Sequence, residues 1–144
     1  MKIDFWQLSH DPVEKVVALI AARVLGEGER LLVVAGEATR REAIARALWE
    51  ARAEAFLANG QADHPHASRQ PVLLSGVCAP ENGATHVIFA DGEWRDPAGF
   101  ARAFLLFDEG TIESARATWR GLDGGEAVER AFFRQDGGKW VRVA

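Results

Sequence analysis

The chain has 144 residues, 48% of them apolar and 26% charged, which suits one globular domain spanning residues 1–144 with a sizeable core. Its net charge of −4 excludes a broadly basic nucleic-acid binder, so any anion site must come from a local patch. A single cysteine, Cys78, excludes an internal disulfide framework, and no apolar run approaches the roughly 18 residues of a membrane span. The amino terminus, MKIDFWQLSH, lacks the apolar stretch of a signal peptide, and a cytoplasmic location is expected.

In chain order, Ile3–Leu8 reads as a short strand. Asp11-Pro12 then opens a helix, with Asp11 and Glu14 spaced as a capping box and Val13, Val16, Val17, Ile20 and Val24 at helical spacing. Gly26 and Gly28 stop it. Leu31–Ala35 is a continuous apolar run, as in a strand buried on both faces. Thr39 and Glu42 form a second capping-box pattern, ahead of Ile44, Ala47, Leu48 and Ala51. A polar loop is expected over Asn59–Pro71. Val72–Leu74 and Thr85–Ala90 read as strands. Arg102–Phe107 is a further strand, although Phe100, Phe104 and Phe107 also fit helical spacing. A turn at Glu109-Gly110 leads to a helix over Thr111–Leu122. Ala127–Gln135 and Lys139–Val143 flank Asp136-Gly137-Gly138, a hairpin signal. The alternation predicts a three-layer, Rossmann-like α/β domain with a mostly parallel central sheet.

That fold invites a nucleotide-binding reading, but the first two βα turns, Leu8–Pro12 and Ala35–Thr39, match neither glycine-rich phosphate motif. Val87–Asp91 looks like a magnesium-binding strand end, yet it has no phosphate loop to serve. Asp63-His64-Pro65-His66, with Cys78 or His86, is the one cluster of metal-ligating types, and its spacing matches no zinc motif. No metal or cofactor is expected, and no set of catalytic residues stands out.

Two stretches suit partner binding. Arg116, Trp119 and Arg120 lie three and four residues apart and share a helical side next to the apolar strand end Leu105–Phe107. Two guanidiniums beside an indole fit a peptide with negative charge and an apolar residue, such as a tail ending in a carboxylate. The same spacing fits an amphipathic helix that packs Trp119 inward and solvates its arginines. Residues 112–144 add Arg130, Arg134, Lys139 and Arg142, giving six basic against five acidic residues in a chain that is acidic overall. The second stretch holds Leu48, Trp49, Phe56 and Leu57, which form an apolar patch or close the core. Trp and Arg are the types most enriched at binding hot spots.

The amino-terminal strand and helix (IDFWQLSHDPVEKVVALIAARVLGEGERLLVVA), Ala47-Leu48-Trp49 followed by Ala55-Phe56-Leu57, Gln70–Leu74 and Asn82-Gly83-Ala84 resemble the chi subunit of bacterial DNA polymerase III holoenzyme. So do Leu106–Gly110, Ala115–Arg120 and Phe133–Trp140, in the same order along nearly the whole chain. The resemblance implies a non-catalytic accessory subunit of the clamp loader. It implies binding to the psi subunit through Trp49 and Phe56, beside Leu48 and Leu57. It further implies binding of the acidic carboxyl-terminal tail of single-stranded-DNA-binding protein through Arg116, Trp119 and Arg120, and hence indirect contact with DNA. Two departures bear on these surfaces. Many relatives read F-[LIV]-P-H where this chain has Phe56-Leu57-Ala58-Asn59. Some carry a basic residue at the position of Ile112, whose loss implies weaker tail binding or a larger share for Arg120.

Two other functions remain open from the residues. One is an α/β enzyme binding a nucleotide or metal at the carboxyl ends of the strands, near Asp11, Gly36 and Asp91. The other is direct single-stranded DNA binding through exposed tryptophans and arginines, against which the acidic net charge argues.

Overall fold

The computed structural model describes residues 1–51, 57–122, 128–136 and 139–144. It is an eight-stranded sheet in the order β3-β4-β2-β5-β6-β1-β7-β8. The strands are β1 (Lys2–Gln7), β2 (Leu31–Val34), β3 (Asn59–Gln61), β4 (Val72–Ser75), β5 (His86–Phe89), β6 (Arg102–Phe107), β7 (Glu129–Asp136) and β8 (Lys139–Arg142). All pairings are parallel except β7 with β8. The helices are α1 (Val13–Gly26), α2 (Ala38–Glu50) and α3 (Ile112–Gly121).

The sheet separates two apolar layers. On one face α1 and α2 cover Trp6, Val33, Leu74, Ile88, Phe104 and Leu106. On the other, α3 and Trp94 cover Phe5, Phe89, Leu105 and Phe107. Strand side chains alternate between these layers, which is why β2, β4 and β5 are apolar at nearly every position. The mostly parallel, three-layer architecture is the one expected from the sequence.

Local expectations are corrected at the two capping boxes and at the polar loop. Neither capping box forms. Pro12 and Glu37 occupy the N-cap positions of α1 and α2, and no side chain caps either helix. Asp11 instead accepts a hydrogen bond from Gln135 Nε2 at 2.8 Å, while Gln135 Oε1 accepts from the His10 and Asp11 N–H groups. This side chain joins the β1–α1 turn to β7, a long-range tie that outcompetes the local cap. The stretch expected as a polar loop contains β3 and a 3-10 turn at Ala67–Arg69. Asn59-Gly60-Gln61 has no strand propensity of its own and is extended because it pairs with Val72–Leu74. The expected glycine turn at Gly137-Gly138 lies outside the described residues.

Candidate protein-binding surfaces

α3 returns antiparallel across the sheet from the end of β6. Ala115 is buried, and Ile112 and Trp119 pack against the layer beneath. Trp119 meets Phe5 edge-on at 5.2 Å and Phe132 at 5.7 Å. The Arg130 guanidinium of β7 lies over its ring, 4.2 Å from the centroid, and donates to the Trp119 carbonyl. A cation at that carbonyl satisfies a group in the last helical turn, where the helix dipole favours positive charge. The indole is therefore part of the core and part of its rim. Arg116 and Arg120 are exposed. Arg116 Nη1 holds Glu113 Oε1 at 3.0 Å, an exposed pair of the kind that contributes little and exchanges readily.

Leu105 and Phe107, expected as an apolar seat beside this helix, are 0% and 2% exposed. They lie under α3 and offer no face to a ligand. Their effect on this surface is to hold Trp119 and the helix in place. Residue spacing does not reveal Arg130 as the partner of Trp119, because the contact needs β7 to lie beside β1, which no local pattern encodes.

On the opposite face, Trp49 sits in the last turn of α2 and is 61% exposed. It borders a crevice of about 280 Å³ that also includes Gly60 of the edge strand β3, His64 and Pro65. Leu48 is fully buried and Leu57 is 4% exposed, so both support the surface from beneath. Phe56 lies outside the described residues. Trp49 on α2 and the arginines of α3 are on opposite sides of the sheet.

A third concavity, about 410 Å³, opens at the carboxyl ends of β1, β5 and β6. Asp11, Glu14, Asp91 and Asp108 line it, with Arg40 as its basic group. Asp91 is already engaged. Arg95 holds both its oxygens at 2.8 Å, and the Gly36 and Glu93 N–H groups donate to it. Burial pushes the Asp91 carboxyl up, but these donors together hold it below its usual range. Such a carboxylate fastens two loops at the sheet's carboxyl end. Four carboxylates around the opening repel a phosphate. Cys78, the remaining nucleophile type, has a thiol raised by burial, opposite to what a reactive thiolate needs. Among the described residues no three His, Cys, Asp or Glu side chains come together as a metal site.

A family model described as DNA polymerase III chi subunit, HolC, matches residues 1–126. The chain belongs to the chi family. Chi is a non-catalytic accessory component of DNA polymerase III, which places this chain in replication. The match covers both the Trp49 surface and the α3 surface of this chi chain, and stops before β7. Comparison with curated proteins found no match. Among the described residues no helix is long and apolar enough to cross a membrane.

Proposed function

We propose that this chi-family chain is a cytoplasmic replication adaptor without catalytic activity of its own. It links the polymerase III clamp loader, through psi, to the acidic carboxyl-terminal tail of single-stranded-DNA-binding protein. The observation that carries the tail-binding half is the exposed pair Arg116 and Arg120 beside a tryptophan fixed by Phe5, Phe132 and Arg130. Arg116 takes the terminal carboxylate, Arg120 the upstream acids, and the exposed edge of Trp119 the apolar end. Leu105 and Phe107 back that seat from below. Psi docks on the other face, at Trp49 over Leu48 and Leu57; Phe56, the second residue proposed for this contact, lies outside the described residues. Contact with DNA is indirect, through the protein that carries the tail.

The test is a fluorescence-anisotropy titration of an acidic peptide ending in phenylalanine. The expected result is saturable binding that weakens with salt, since the arginines are exposed and screened. Arg116→Ala is expected to weaken it about tenfold, in keeping with loss of one charge-assisted contact. No binding by folded protein, or binding indifferent to salt, contradicts this reading.

A further inference from the structure

β8 closes one end of the sheet, and β7 is its partner there. Val143 N–H donates to Phe132 O at 2.8 Å. Main-chain groups of an antiparallel strand alternate sides, so Lys139 and Val141 also turn toward β7. The N–H and C=O of Trp140 and Arg142 then point away from the sheet. The side chains alternate as well. Trp140 packs against Trp6 at 4.6 Å on the α1 face. Val141 and Val143 therefore take the α3 face, where they are 42% and 47% exposed. Arg134 lies directly opposite Val141. Arg134, Lys139 and Arg142 are all exposed.

We propose that the β8 edge binds an extended acidic segment of another protein as a ninth strand. The segment's main chain pairs with the outward groups of Trp140 and Arg142. On the α3 face its apolar side chains lie on Val141 and Val143 and a carboxylate at the next alternate position reaches Lys139, with Arg134 beside it; on the α1 face a carboxylate reaches Arg142. Edge strands often carry charge simply to discourage pairing. Two exposed valines do the reverse, and they are two of the six exposed large apolar residues among those described. Charge selects the occupant. A second copy would bring a matching set of cations onto the same edge, and like charges in register oppose pairing, whereas an acidic strand complements it. This surface lies beyond the family match and does not depend on the adaptor reading.

The test uses a labelled peptide with valine at two alternate positions and aspartate at the others, and two N-methylated versions, each blocking one alternate set of its amides. Anisotropy is expected to show saturable binding of the parent peptide. One methylated version should lose at least tenfold in affinity while the other keeps it, because only one edge of the peptide faces β8. Hydrogen exchange at the Trp140 and Arg142 amides should slow in the complex. Lys139→Glu should weaken binding, and Arg116→Ala should leave it unchanged, which separates this surface from α3. Equal binding of both methylated versions, unchanged exchange at those two amides, or no binding overturns the proposal. Self-association of the free protein through this edge, blocked by Val141→Lys, overturns it in favour of a second copy.

Discussion

Trp119 is pinned by Phe5, Phe132 and the Arg130 guanidinium, while Arg116, one turn earlier, stands in solvent holding Glu113 of its own helix. Their substitution should separate stability from binding. Trp119→Ala removes aromatic packing and is expected to cost about 2 kcal/mol or more in denaturant unfolding. Arg116→Ala is expected to change stability by no more than about 0.5 kcal/mol, so its effect should appear in peptide affinity alone. Asp91 makes a different prediction. Its carboxyl is raised by burial, but Arg95 and two N–H donors bring it below the usual value. A depressed folded pKa gives stability that is present above the unfolded value, about 4, and is lost as pH falls through the folded one. Asp91→Asn should therefore lower the Tm at pH 7, and the difference from wild type should shrink in melts taken progressively below about pH 4. A constant difference across that range contradicts an ionised role for Asp91.

α3 is set in place by the turn after β5 as well as by the layer under it. Gly92 has φ 76°, and a Cβ there would lie 2.7 Å from Thr111 Oγ1, at the start of the helix. Gly92→Ala is therefore expected to cost more than about 1 kcal/mol and to weaken acidic-peptide binding by displacing α3, measured by melting and titration together. The elements themselves were legible where one physical signal dominated. β2, β4 and β5 are runs of apolar residues because helices or loops cover both their faces. α3 was legible from the turn at Glu109-Gly110 and the helical spacing of Arg116, Trp119 and Arg120. β3 was not, because three polar residues become a strand only by pairing with β4. The capping patterns at Asp11 and Thr39 do not hold: Thr39 falls inside α2, and at Asp11 the pattern does not reveal a competitor. For Asp11 that competitor is Gln135, 124 residues away. At the α3 surface the sequence indicated the exposed arginines. The burial of Leu105 and Phe107 follows from α3 crossing above them, which residue types alone do not encode.

Across the whole molecule, the sheet keeps the two proposed docking surfaces apart, with Trp49 on the α2 side and Arg116 on the α3 side. An adaptor needs that separation, because each partner must bind without displacing the other. Trp49 is 61% exposed, so Trp49→Ala should leave the Tm within a few degrees of wild type while removing psi from a pull-down. Loss of folding in that variant would instead make Trp49 a core residue. The most direct test of the adaptor is a bridging experiment on a column. A psi subunit is immobilised, and a labelled acidic peptide ending in phenylalanine is applied with and without this chain. The account predicts that the peptide is retained only when the chain is present. Trp49→Ala should abolish retention of both chain and peptide, and Arg116→Ala should abolish retention of the peptide alone. If psi and the peptide instead compete for the chain, or if either variant removes both partners from solution binding, the two surfaces are not independent and the adaptor account fails.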